Sequence, residues 1–334
     1  MCKRRTCNSH LFAQLLKYQI EGTRVCWNYL LAKENIKIPE GVCLNVLTTA
    51  AKHGDPSLAT SVFNELSNLS IQFDAQHFLP LLEAYTRAND VRQAFIVLNI
   101  MRATSLTPPQ LHHFNFLIQH LATSKNIIDS GFFLLQDLVE KEGRPIDITA
   151  YNIVLQAAIE RGDSARAIST YRDAKVLKIR PNLETINLLL RAAQQVGHVD
   201  LAMVLLEDLK NAQITPDRDT YTRVILTYLT QQGVMYDQAF LYLEEMKNAG
   251  WIPPSGLYTA FIKKCVYHGD DRSVGLLDEM KKIGYPTKTI EEYVLKTRSA
   301  GAESALFSRR GMGFERRQEA RMEEEELTKR IADW

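Results

Sequence analysis

The chain has 334 residues, with 40 Lys and Arg against 39 Asp and Glu, for a formal net charge of +1. Hydrophobic residues make up 46% and charged residues 24%, enough apolar material for a large core, which excludes wholesale disorder. No apolar run approaches the roughly 20 residues needed to cross a bilayer, and the balanced charge excludes a strongly basic, non-specific binder of nucleic acid.

The first stretch, Met1 to His10, carries Lys3, Arg4 and Arg5 and no acid. It reads either as the remnant of an organellar targeting segment or as a fragment start. Cysteines stand at Cys2, Cys7, Cys26, Cys43 and Cys265, with no C-x-x-C pair, so neither a disulfide framework nor a zinc ribbon is indicated. Cys43 and Cys265 fall inside apolar helical patterns and read as buried thiols. Residues 1–40 therefore comprise a basic start and, over 8–40, a worn repeat. Its second helix carries Val25, Tyr29 and Ala32 inward and ends at Pro39.

From residue 41 the pattern becomes regular. Small residues recur at Ala59, Ala94, Gly131, Ala167, Ala202, Ala239 and Ser273, at spacings of 34 to 37 residues. Four residues after each comes Phe63, Leu98, Leu135, Tyr171, Leu206, Leu243 or Leu277. Seven after each comes Leu66, Met101, Leu138, Ala174, Leu209, Met246 or Met280. Spacing of i, i+4 and i+7 is one face of an α-helix. The small residue lets a neighbouring helix approach, and the larger ones fill the seam. A preceding helix in each unit centres on Leu47, Leu81, Leu117, Val154, Leu189, Val224 and Phe261.

Short turns join the two helices, as in Lys52-His-Gly-Asp, Glu160-Arg-Gly-Asp, Val196-Gly-His and Tyr267-His-Gly-Asp. Glycine suits the left-handed conformation that ends the first helix. Asp55, Asp163 and Asp270 are placed to cap the second. Pro39, Pro109, Pro145, Pro181, Pro216, Pro253 and Pro286 close the units, because proline cannot continue a helix. Seven units follow: 41–74, 75–110, 111–147, 148–182, 183–217, 218–254 and 255–287. A helical hairpin of roughly 35 residues cannot bury its apolar faces alone, and stacking gives an all-α solenoid of seven to eight hairpins. Residues 288–303 read as a degenerate terminal half-repeat.

Several first helices open on an apolar or aromatic residue followed by Asn or Thr: Leu44-Asn45, Phe114-Asn115, Tyr151-Asn152, Ile186-Asn187, Tyr221-Thr222 and Tyr258-Thr259. Units end in Pro181-Asn182 and Pro216-Asp217, and no tryptophan recurs in phase. Over residues 8–300 the chain resembles the pentatricopeptide repeat family. The resemblance implies a right-handed superhelix, an organellar location and binding of single-stranded RNA at about one base per repeat. It also implies that the base is read by the Asn or Thr near the start of the first helix together with the last residue of the unit. Those pairs are Asn45 with Asp74, Asn115 with Asp147, Asn152 with Asn182, and Asn187 with Asp217. An amide offers a donor and an acceptor to a base edge. For these four pairs the family's tendencies imply pyrimidines, uracil more than cytosine. Thr222 with Pro254 and Thr259 with Thr287 depart from the usual pairs, and Leu79 with Gln110 offers no polar reader.

The residues that in RNA-binding members are aliphatic and pack against the base are here Val42, Gln76, His112, Thr149, Glu184, Asp219 and Gly256, of which only Val42 fits. Basic candidates for the groove are Lys52, Arg87 and Lys263 or Lys264. RNA affinity comes largely from phosphate neutralisation, so this lining is thin. No nucleophile, base and orienter set, metal site or cofactor loop is present, and a non-enzymatic protein without cofactor is expected.

The tail, 304–334, is a densely charged run from Glu315 to Asp333 preceded by Leu306-Phe-Ser-Arg-Arg-Gly-Met-Gly-Phe314. It reads either as a solvated helix or tail, or as a docking arm anchored by Phe307, Phe314 and Trp334. Two functions follow. One is an RNA-binding adaptor in mitochondrial, or alternatively plastid, gene expression, acting in mRNA stabilisation, translation or ribosome assembly. The other is a protein-interaction scaffold of a ribosome-associated or assembly complex.

Overall fold

The computed structural model describes residues 20–297 apart from 34–37, 70, 105–109, 173, 175–176, 178 and 232–235. Among the described residues the regular structure is helical, without a strand. Helix α1 spans Ile20–Leu31. Seven helical hairpins follow: α2 (Glu40–His53) with α3 (Pro56–Asn68), and α4 (Ala75–Arg87) with α5 (Val91–Thr104). In the third, a 3-10 turn (Leu111–Phe114) leads into α6 (Asn115–Ala122), which pairs with α7 (Lys125–Glu140). Then come α8 (Ile148–Glu160) with α9 (Ser164–Arg172), α10 (Leu183–Val196) with α11 (Val199–Asn211), α12 (Arg218–Leu229) with α13 (Asp237–Asn248), and α14 (Ser255–Tyr267) with α15 (Arg272–Ile283). Residues 288–297 are again helical. No described helix is long and apolar enough to cross a membrane.

The helices pack as two compact units. One comprises residues up to 163 with 169–180, the other 164–168 with the residues from 181 onward. Within each unit first helices pack on their own second helices, as α2 on α3 and α10 on α11, and on the next first helix, as α2 on α4 and α10 on α12. The repeating small residues explain the close approach. Ala59, Ala94, Ala167, Ala202 and Ala239 are fully buried, as are the i+7 residues Leu66, Met101 and Met246. At Gly131 the fit is tight: an added Cβ would sit 3.2 Å from the Leu121 side chain and 3.7 Å from Val154. The first-helix centres Leu47, Leu117, Val154, Leu189, Val224 and Phe261 are likewise fully buried.

Turn chemistry matches the sequence pattern at the first hairpin, whereas α15 has Asp271, not the expected Asp270, at its N-cap. Gly54 ends α2 at φ 64°, and its amide donates to Ala50 and Ala51 carbonyls. Arg87 Cβ lies 3.0 Å from where a Gly54 Cβ would be, so this glycine serves both the left-handed turn and close packing on the next hairpin. In the second hairpin, which lacks such a glycine, Asn89 takes the left-handed conformation at φ 61°. Asp55 caps α3, accepting from the Leu58 amide at 3.0 Å, and it is held by Arg24 at 2.6 Å.

One expectation is corrected. In α1 the inward residues are not Val25, Tyr29 and Ala32; Val25 is 68% and Tyr29 55% exposed. The inward face is buried Thr23 and Trp27 with half-buried Leu30, again i, i+4 and i+7, and Trp27 and Leu30 pack against the core of α2 and α3. Trp27 also donates Nε1–H to Ser61 at 3.0 Å. Thr23 stands where the other units have Ala, Gly or Ser, 36 residues before Ala59, so the worn repeat is in phase with the rest. A β-branched threonine at the small position hid that phase.

Candidate nucleic-acid interface

In four units the last residue, Asp74, Asp147, Asn182 or Asp217, is the N-cap of the next first helix. Asp74 accepts from the Ala75 amide at 2.7 Å, Asp147 from Thr149 at 2.8 Å, Asn182 from Thr185 at 2.9 Å and Asp217 from Thr220 at 2.8 Å. The first amides of a helix have no partner inside it, and a short Asp or Asn side chain supplies one. The cap is reciprocated from three residues on, by Thr185, by Thr220 and by His77, whose Nδ1 accepts from the Asp74 amide at 3.1 Å. His77 is buried and meets Glu40 with its other ring nitrogen at 3.1 Å.

One predicted pair is assembled directly. Asn187, half-buried on α10, donates its Nδ2 to Asp217 at 3.2 and 3.3 Å. Its Oδ1 accepts from the buried Thr220 hydroxyl at 2.7 Å, and Thr220 also reaches Asp217 at 2.9 Å. The amide is thus fixed on both sides. One amide hydrogen and one carbonyl lone pair remain for an external hydrogen-bonding edge.

The other pairs differ. Asn45 and Asp74 are both exposed, and among the described residues no hydrogen bond joins them. Asn115 is exposed at the start of α6, while Asp147 is held elsewhere. Arg102 of α5 donates Nε–H to its carboxylate at 3.1 Å, and Asn99 of α5 accepts from its backbone amide at 3.1 Å. Asn152 is fully buried on α8, and its predicted partner Asn182 belongs to the other unit. Thr222 and Thr259 donate their hydroxyls to carbonyls four residues back, Arg218 at 2.7 Å and Ser255 at 3.0 Å. Their donors are spent on their own helices. Phe307, Phe314 and Trp334 lie outside the described residues.

The basic candidates are largely engaged within the protein. Lys264 is 1% exposed and donates Nζ to the Gln231 carbonyl at 2.8 Å, so it ties a helix to a loop and does not line a groove. Arg87 donates to Glu83 at 2.9 and 2.7 Å. Lys263 lies 5.6 Å from the Tyr293 ring, and Lys52 is exposed. Glu184 is exposed, and Asp219 is exposed beside Arg223 at 3.1 Å. At the base-packing positions, Val42 is half-buried against the first core cluster, while Thr149 and Gly256 are buried.

Charge elsewhere is used to tie turns. Hydrogen bonds from Arg272 hold the Asp270 carboxyl down to about 2 against the opposing cost of burial. Arg272 also bonds Asp237 at 2.8 Å and lies 4.1 Å from the Phe240 ring. Asp270 further accepts from the buried Tyr236 hydroxyl at 2.9 Å.

Three contributors escape the pairwise sequence pattern: Thr220, Asn99 and Arg102. Thr220 had a local signal, since Asn182-x-x-Thr185 and Asp217-x-x-Thr220 are capping-box spacings. Arg102 and Asn99 had none, because they lie 45 and 48 residues from Asp147 on the previous hairpin.

The same repeat pattern matches family models. One described as a pentatricopeptide repeat-containing protein covers residues 40–174, and one described as a pentatricopeptide repeat domain covers 169–230. Together they run from residue 40 to 230, more than half of the chain. The chain belongs to the pentatricopeptide repeat family. Among relatives, a chloroplastic pentatricopeptide repeat-containing protein of Arabidopsis thaliana is 25% identical over 170 residues, which is 51% of this chain and 27% of that protein. A mitochondrial one from the same plant is 23% identical over 145 residues, 43% of this chain and 23% of that protein. The matched segments thus span about a quarter of each relative. The crystal structure of the maize pentatricopeptide repeat protein PPR10 aligns over 95% of this chain and 48% of its own, at 17% identity and a TM-score of 0.46.

Proposed function

We propose that this pentatricopeptide repeat chain is a non-catalytic adaptor that binds single-stranded RNA in organellar gene expression, in the mitochondrion or alternatively the plastid. Its role would be transcript stabilisation, translation or ribosome assembly. The observation that carries the RNA reading is the Asn187–Asp217–Thr220 network. It presents a half-buried amide with its orientation already set, so little entropy is lost when a base edge docks. Family membership supports RNA as the ligand, and relatives named chloroplastic and mitochondrial support an organelle.

The test is fluorescence anisotropy of the purified chain with short U-rich and A-rich RNAs at low and moderate salt. Tighter binding to U-rich RNA, reduced when Asn187→Ala is introduced, is the expected result. Equal binding that vanishes with added salt would mean backbone attraction alone. No binding at either salt would sink the autonomous RNA reading.

A second reading, a scaffold for protein partners, is favoured by the burial of Lys264, which removes one of the expected cationic contacts. Exposed Phe133 on α7 and Val204 and Leu241 on α11 and α13 recur two residues after the small position of their helices. Partner capture that survives nuclease treatment and is lost on Leu241→Glu would support it.

A further inference from the structure

We propose that Arg102 sets which hairpins read their base, by withdrawing Asp147 from Asn115. The inference rests on the RNA-binding reading above and names a residue outside the pairs which that reading uses. Asp147 and Asp217 hold the same position in their units, both capping the next first helix at 2.8 Å. They differ in what else they hold. Asp217 accepts from Asn187 with both oxygens and fixes the reader. Asp147 instead accepts from Arg102 Nε at 3.1 Å.

The capture is reinforced along the backbone. Asn99, one helical turn from Arg102 on α5, accepts from the Asp147 amide at 3.1 Å and donates to the Pro145 carbonyl at 3.4 Å. Arg102 and Asp147 are each only 22% exposed, so water screens their attraction less than it would at the surface. Among the described residues Asn115 is exposed and has no hydrogen bond to Asp147, so Asp147 does not orient its amide. A freely rotating amide satisfies either a purine or a pyrimidine edge, because donor and acceptor exchange by rotation. The hairpin 111–147 therefore accommodates a nucleotide without choosing its base, whereas 183–217 chooses.

The experiment measures relative affinity for RNAs varied one base at a time, using the full chain with Asp147→Asn, Asp217→Asn and Arg102→Gln. Asparagine caps a helix as well as aspartate, so the first two variants keep the fold. Asp217→Asn should weaken base preference at one position about tenfold, the scale of a lost bidentate contact. Asp147→Asn should change preference at every position by less than about twofold, well under that scale. Arg102→Gln should create a new base preference at a position other than the one governed by Asn187. Adding Asp147→Asn to Arg102→Gln should abolish it. The proposal is overturned if Asp147→Asn erodes preference as strongly as Asp217→Asn, or if Arg102→Gln creates none while the Asn187-dependent preference persists. Loss of all RNA binding by the unmodified chain overturns the RNA reading as well, which separates the two failures.

Discussion

Asp217 does two jobs with one carboxylate. It caps α12 and it orients Asn187. The two can be separated by substitution, because Asn retains the capping acceptor and Ala does not. Asp217→Ala should lower stability by about 1 kcal/mol, the usual cost of a lost cap, and Asp217→Asn by much less. Chemical denaturation monitored by circular dichroism checks this, with a change in midpoint and not in slope. A second residue prediction concerns acid. Asp270 is held down to about 2 in the folded chain by Arg272, below its ordinary value of 3.8. A depressed carboxyl adds stability that is present above the ordinary value and is lost as pH falls from about 4 toward 2. The melting temperature should therefore drop more steeply over that interval in the native chain than in Asp270→Asn. Equal slopes would show that the Arg272 pair does not contribute.

The unit of architecture is the hairpin, and its turn decides whether consecutive hairpins can approach. Gly54 has φ 64° and no room for a Cβ beside Arg87. Gly54→Ala should cost about 1–2 kcal/mol, since alanine is strained in the left-handed region and must also displace a neighbour. At the equivalent turn of the next hairpin Asn89 already accepts φ 61°, so Asn89→Gly should cost no more than its 3.0 Å side-chain hydrogen bond to His120, about 0.5–1 kcal/mol. A denaturant titration of the two variants side by side distinguishes a conformational need for glycine from mere turn exposure. The helix pattern was legible because its period repeats seven times, and every small residue of that series is buried. In α1 threonine stands in place of the usual Ala or Gly, which hides the phase from the sequence.

In a repeat protein each hairpin touches only its neighbours, so damage is expected to stay local. Leu189 is fully buried at the centre of α10. Leu189→Ala should cost about 2–5 kcal/mol, the range for emptying a core leucine site. Hydrogen exchange should show the loss of protection largest in α10–α13 and falling off toward α2–α5. Uniform loss along the chain would mean that the repeats unfold as a single cooperative body, contrary to the neighbour-only picture.

By itself the sequence determined the all-helical class, the hairpin length, the turns and the buried seam. Those follow from local propensity and from a period of three to four residues, which any short window displays. What only the tertiary structure decided is which side chains face one another. Asn187 meets Asp217 through a buried threonine, Asp147 is drawn away by an arginine 45 residues earlier, and Lys264 points into the protein instead of out of it. Such choices depend on hydrogen-bond geometry between hairpins. Two side chains at the same repeat position can have different neighbours, and one-dimensional spacing carries no record of them.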